Sequence, residues 1–162
     1  MKKQVQKSVQ KIPSPENYIK TKARTLPLGK CYINRGWKEA GMGSIFVTRK
    51  HITGNLTYGS YLVDLYALGT KNTMYDFNKT QKSFDAIIND PRADYEEIEY
   101  NLAHNIIYGA NKYAVANGFK IHKDFEKLTE YILEVNVESI PFIDIEFGKD
   151  GKPLVIDFSS NF

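Results

Sequence analysis

The apolar positions of this chain change period along its length, and the first sustained pattern has a period of two. Residues 44–50, SIFVTRK, are rich in β-branched and aromatic side chains and read as a strand. The following stretch, LTYGSYLVDLYALGTKN from Leu56 to Asn72, is apolar on both alternations. Leu56, Tyr58, Leu62, Tyr66 and Leu68 share a face with Asp64, while Tyr61, Val63, Leu65 and Ala67 share the other. A strand apolar on both faces is expected inside a sheet. HITGN between the two runs supplies a hairpin loop with Gly54 and Asn55. An irregular approach from Lys20, broken by Pro27 and Gly29, leads into a short earlier strand, CYI. Gly69 to Asn78 is expected to carry the chain out of the sheet, with Thr73, Met74 and Tyr75 as its only further strand content.

The period then changes to that of a helix. Thr80 to Asn89 reads as a short helix closed by Asp90-Pro91. A longer one is signed by Asp94 as N-cap, Glu97 three residues on and Gly118 as the terminating glycine. On its wheel, Ile98, Leu102, Ile106, Gly109, Tyr113 and Ala116 form one apolar stripe, and Ala103, Ile107, Ala110 and Ala114 form a second beside it. The remaining sector holds Glu97, Tyr100, Asn101, His104, Tyr108, Asn111 and Lys112, a polar face able to line a pocket. His122-Lys123-Asp124 opens a third helix with Phe125, Leu128, Ile132 and Val135 inward. PFIDIEFG and KPLVIDF flank Asp150-Gly151 as a closing hairpin. The fold class expected is α+β: an antiparallel sheet, a block of three helices packed on it and a C-terminal β-hairpin, in the order β, β, β, α, α, α, β, β. This segregation argues against a doubly wound nucleotide-binding fold. GMG at 41–43 lacks the Gly-Lys-Ser/Thr ending of a phosphate loop.

Composition sets the domain count and the compartment. At 162 residues with 42% hydrophobic content, the chain can bury roughly two thirds of its unfolded surface as one domain. Residues 1–16 read as a flexible basic arm ended by Ile12-Pro13-Ser14-Pro15, where the prolines stop any helix; residues 17–162 read as a single α+β domain. Val5, Val9 and Ile12 fall at helical spacing, so the arm could dock on a partner. The single Cys31 excludes an intrachain disulfide and fits a reducing cytoplasm, and no apolar run is long enough for a membrane span.

The net charge of +3 is unevenly spread. Residues 1–30 carry eight basic side chains against Glu16 alone, and the rest carries 14 basic and 18 acidic ones. Lys2, Lys3, Lys7, Lys11, Lys20, Lys22 and Arg24, with Arg49 and Lys50 at the first hairpin, are the candidate contacts for RNA or DNA. A solvated chain end is the alternative reading of the arm.

Two residues stand out as candidate catalytic groups. Asp64 sits in the longest apolar run, where an ionised carboxylate is costly without donors or a cation; either it is satisfied by backbone N–H groups or a tyrosine, or it does chemistry. His104 stands between two tyrosines at i±4 on the long helix and can act as acid, base or ligand near neutral pH. Asp144 and Glu146 share one face of the closing hairpin, and a two-residue turn would set Asp144 opposite Asp157. Asp64, Asp144, Glu146 and Asp157, with His104, therefore form a candidate site for a divalent cation, if they converge.

KARTLPLGKCYIN, YLVDLYALGTKNT, AHNIIYGANKYAVANGFKIHKDF and IEFGKDGKPL, spread over most of residues 20–155, resemble segments of a bacterial protein family that has no assigned activity. Its members look more like VDLYCLGVKD, so Ala67 and Thr70 depart from the pattern and no role for a thiol beside Asp64 carries over. The resemblance implies a shared fold and no substrate. Two functions follow as expectations: a nucleic-acid-associated or protein-interaction module, favoured because no catalytic motif is present, and a metal-dependent hydrolase of the nuclease kind.

Overall fold

The first hairpin forms the middle of a sheet. In the computed structural model, which describes residues 14–156, β1 (Leu28–Asn34), β2 (Met42–Lys50), β3 (Leu56–Asp64), β4 (Gly69–Lys79) and β5 (Tyr95–Ile98) make one antiparallel sheet in the order β4-β3-β2-β1-β5. β3 is interior, as its two apolar faces require, and β2 is central. α1 (Pro15–Lys22), α2 (Trp37–Ala40), α3 (Gln81–Ile88), α4 (Tyr100–Ala116) and α5 (Lys123–Lys127) complete the α+β fold, with short 3-10 turns at Ala23–Thr25 and Thr129–Ile132. Among the described residues, no helix is long and apolar enough to cross a membrane.

Several elements differ from the sequence reading. Pro15 starts a helix instead of preventing one: it occupies the first turn of α1, where its missing N–H costs nothing, and the Ser14 hydroxyl caps the Asn17 N–H at 3.2 Å. Gly69 to Lys79 does not leave the sheet but forms its longest strand, paired to β3 with bulges that absorb the register. The residues read as the start of the long helix, Tyr95–Ile98, instead pair with β1 as an edge strand, and α4 begins after Glu99. Asp94 is occupied otherwise: its carbonyl accepts the Arg35 N–H at 2.8 Å and its carboxylate accepts Arg35 Nε–H at 3.0 Å. The far end of α4 is as expected, with Gly118 at φ +85° and Phe119 N–H donating back to Ala114 O at 2.9 Å.

The alternation along the strands decides what covers each face. Ile33, Ile45, Val47, Tyr61 and Val63 meet α1, α4, α5 and the 3-10 turn through Ile19, Ala103, Ile106, Ile107, Ala110, Phe125 and Ile132, all buried. The opposite face gathers Phe46, Leu56 and Tyr58 around Phe84 of α3, with Tyr32, Ile88 and Tyr95 at the margin. The three expected helices are thus not one block: α3 lies across the sheet from α4, and β5 separates them in the chain.

The closing segment keeps its turn but not its strands. Asp150 and Gly151 have φ of +53° and +78°, and Lys149 and Lys152 exchange hydrogen bonds across them at 2.7 and 3.1 Å, the geometry of a two-residue hairpin turn. Beyond that pair the arms part because Leu65 and Tyr66 lie between them. Gly148 N–H donates to Leu65 O at 2.9 Å, and Leu154 N–H donates to Tyr66 O at 3.0 Å. The first arm, residues 141–148, instead forms a strap over α4. Asn105 fastens it, donating Nδ2–H to Pro141 O at 2.9 Å and accepting Ile143 N–H at 3.1 Å. Ile145 and Phe147 pack against the core and Ile143 is half-buried, while Phe142, Asp144 and Glu146 are exposed, which keeps the alternation expected of this segment.

Phe147 rests on Gly109, where a Cβ would lie 2.5 Å from its ring. Alanine in place of a mid-helix glycine ordinarily stabilises by about 1 kcal/mol. Here Gly109→Ala should instead destabilise by about 1–3 kcal/mol through overpacking and release the Gly148 amide to hydrogen exchange; a more stable variant would show that the strap does not sit on α4.

Candidate functional site

Asp64 lies at the end of β3, opposite Met42 and Gly69, with its carboxylate turned onto the following backbone. Oδ1 accepts the Tyr66 N–H at 2.9 Å and Oδ2 accepts the Leu68 N–H at 3.3 Å. Each oxygen therefore shapes the turn from β3 into β4, an economical answer to the cost of a carboxylate that is only 6% exposed. Asp144 and Glu146 stand outward on the strap, and Asp157 lies outside the described residues. Among the described residues, no three His, Cys, Asp or Glu side chains are grouped to hold a metal ion.

His104 is 2% exposed and is held from both sides. The Tyr100 hydroxyl accepts the Glu134 N–H at 2.7 Å, so its own proton is directed to His104 Nδ1, also at 2.7 Å. Nε2 then carries the ring proton and donates to Asn136 Oδ1 at 3.0 Å. The ring is tilted against Tyr108 at 4.6 Å. Burial is the main cause that lowers the His104 pKa below its ordinary value, opposed by the Asn136 bond and the Glu134 charge. Burial also raises the Tyr108 phenol to about 12. The sector expected to line a pocket is therefore largely covered: His104 and Asn111 are buried, with Asn111 Oδ1 accepting the Thr70 N–H at 2.7 Å, while Glu97 and Lys112 at its margins are exposed.

The basic residues divide into two groups. Lys20, Lys22 and Lys50 are exposed, and Lys2, Lys3, Lys7 and Lys11 lie outside the described residues. The two arginines turn inward. Arg49, 1% exposed, donates from Nε to Ile132 O at 2.8 Å and from Nη1 to Leu26 O at 2.9 Å and Glu134 Oε1 at 3.1 Å. Arg24 donates to Leu133 O at 2.8 Å and Glu130 O at 3.1 Å, with its guanidinium 5.2 Å from the Tyr131 ring. Both bind the carbonyl-rich end of the 3-10 turn and fix the chain where it leaves for His104 and the strap.

A recess lies elsewhere, between α2, the β3–β4 turn and the strap. A cavity of about 390 Å³ is lined by Trp37, Leu65, Tyr66 and Leu102 and by the strap from Ile143 to Glu146, a size within the range of ligand sites. A second, more open hollow shares Trp37, Lys38 and Leu102 with it and adds Arg35 and Glu96. Lys38 lies over the Trp37 ring at 5.4 Å and Lys149 over Tyr66 at 5.7 Å. The Tyr66 ring covers Gly41, whose φ of +66° and lack of a Cβ permit the contact, and its hydroxyl donates to Glu39 O at 3.2 Å. Asp144 and Glu146 bring both charges to one rim. Of these residues only Asp144 and Glu146 stand among the candidates read from the sequence, and there as cation ligands; the available signal for the rest was the one tryptophan, set among glycines in GWKEAG.

Two outcomes check these placements. Arg49→Met should cost about 1–3 kcal/mol, because two carbonyls lose a charged donor while Glu134, partly exposed, is left to solvent; a urea midpoint unchanged from the parent would contradict the bonded, buried guanidinium. Because His104 is neutral when folded and titrates near the ordinary value of about 6.5 when unfolded, the unfolded chain binds more protons below that pH. Its contribution to stability is complete above about 6.5 and falls as the pH drops through the lowered folded value. His51, lowered by burial alone, acts in the same direction. The urea midpoint should therefore fall between about pH 7.5 and 5.5, and fall less in His104→Gln; an equal fall in both proteins would exclude His104 as a source.

No protein-family model, curated protein or solved structure matches this chain.

Proposed function

We propose that this protein is a non-catalytic interaction module whose ligand is taken in the recess beside Trp37. The observation that carries the reading is the contrast between two sets of side chains. The groups that could do chemistry, Asp64 and His104, have their polar atoms engaged with the protein's own backbone and side chains. The groups at the recess combine an aromatic and aliphatic wall with cations and carboxylates at its rim, the mixture that anchors a partner and then orients it. Hydrolysis assisted by a divalent cation is the weaker alternative, since Asp64 directs both oxygens to its own turn and Asp144 and Glu146 face outward from the strap. Binding of RNA or DNA is a form of the interaction reading that leans on Lys2, Lys3, Lys7 and Lys11.

Trp37 is the one tryptophan in the chain, so its emission and its indole N–H resonance report directly on the recess. A panel of extended peptides, homopolymeric RNA, single-stranded DNA and nucleotides with magnesium should contain a class that saturably shifts both signals. A panel that leaves Trp37 unmoved would overturn the proposal, as would manganese-dependent phosphodiester hydrolysis that disappears in Asp64→Asn.

A further inference from the structure

The strap carries main-chain groups that the rest of the fold pairs with care. Its residues alternate between exposed and inward, the period of an extended chain, and in such a chain the N–H and C=O of one residue point to one edge while those of the next point to the other. The odd-numbered edge faces α4, where the Asn105 amide stands in for a neighbouring strand by binding Pro141 O and Ile143 N–H. The even-numbered edge faces the recess. Gly148 N–H donates to Leu65 O at its end, and there the pairing stops. The N–H and C=O groups of Asp144 and Glu146 have no partner among the described residues, nor do those of Ile145 and Phe147 on the other edge; what sets Asp144 and Glu146 apart is that they lie on the edge continuous with the Gly148 bond to Leu65, and both line the cavity beside Trp37 and Leu65. Two donors and two acceptors thus stand in a row along a recess, in line with the one hydrogen bond from Gly148 to Leu65.

We infer that the recess takes an extended peptide segment of a partner protein, added as a strand along Asp144–Glu146, with basic side chains flanking an apolar one. The inference rests on the Trp37 recess being the ligand site. Unpaired edge groups are the features that strand addition uses for affinity, and alternate side chains then set specificity. Residues placed opposite Asp144 and Glu146 share their outward face, where opposite charges are favourable across a strand pair; this calls for Lys or Arg at both positions. The residue between them, opposite Ile145, turns inward toward Leu102 and Trp37 and is apolar. Lys38 and Lys149 oppose acidic side chains at either end of the site, since each already lies over an aromatic ring at the rim.

The probe is acetyl-Gly-Lys-Ile-Lys-Gly-amide, titrated into the full chain while the Trp37 indole signal and the amides of Asp144 and Glu146 are followed by NMR. Saturable shifts at all three are expected. The same peptide N-methylated at both lysine amides keeps its charge and its isoleucine but cannot donate, and should bind at least tenfold more weakly. The Glu-Ile-Glu peptide should also bind at least tenfold more weakly to the parent, and the order should reverse in the double variant Asp144→Lys, Glu146→Lys, whose two positions are exposed and tolerate the change. Equal binding of the N-methylated peptide would overturn strand addition and leave only charge attraction. Trp37 shifts with RNA or nucleotides but with no peptide would overturn this inference while leaving the recess as the ligand site; no shift with any class would overturn both.

Discussion

A guanidinium removed from water is the constraint from which the C-terminal third of this molecule follows. Arg49 stands on the central strand with its side chain on the same face as Ile45 and Val47, where a hydrocarbon would ordinarily sit. A cation there is costly unless donors meet acceptors, and the chain supplies them by bending the segment before β1 and the segment after the 3-10 turn toward it. Leu26 O, Ile132 O and the Glu134 carboxylate converge on one side chain. Arg24 repeats the solution one step outward, using Leu133 O and Glu130 O. The path of residues 130–136 is fixed as a result, and with it the approach of Glu134 N–H to Tyr100 and of Asn136 to His104.

From that fixed point the chain has few routes. It crosses α4 where Asn105 offers both halves of an amide and Gly109 leaves room for the Phe147 ring, and it turns at Asp150-Gly151 where Leu65 and Tyr66 separate the two arms. The recess beside Trp37 is what the strap encloses as it passes. The charged residues therefore divide by position: Arg49 and Arg24 hold the closing segment in place, and Asp144 and Glu146 on the strap face solvent at the rim of the recess.

Much of the sheet was legible because β2 and β3 carry a two-residue period with β-branched and aromatic side chains, and HITGN separates them at hairpin distance. The far end of α4 was legible from Gly118 and its start was not. Asp94 and Glu97 match a capping box in spelling, but an open edge of β1 competes for Tyr95–Ile98, and pairing with a distant strand leaves no local mark. β4 was underestimated for the same reason, its lysines and asparagines being tolerable on an edge that also carries Thr73 and Tyr75. Asp64 was marked as needing donors or a cation, and the backbone donors it has were among the solutions foreseen. Arg49 was marked as an exposed contact because a cation beside a hairpin loop is ordinarily solvated; the carbonyls that receive it lie far away in sequence. The recess escaped notice because its walls come from α2, the β3–β4 turn and the strap, which no window of sequence holds together.

The dependence of this architecture on one buried cation is tested most directly by proton exchange at the Arg49 side chain. In an arginine-selective proton–nitrogen NMR spectrum, with Arg49→Lys assigning the signal, the Nε–H bonded to Ile132 O should persist in heavy water long after the exposed Arg92 side chain has exchanged. An Arg49 Nε–H that exchanges as fast as that of Arg92 would mean that the guanidinium is solvated, and the closing segment would then have no such anchor.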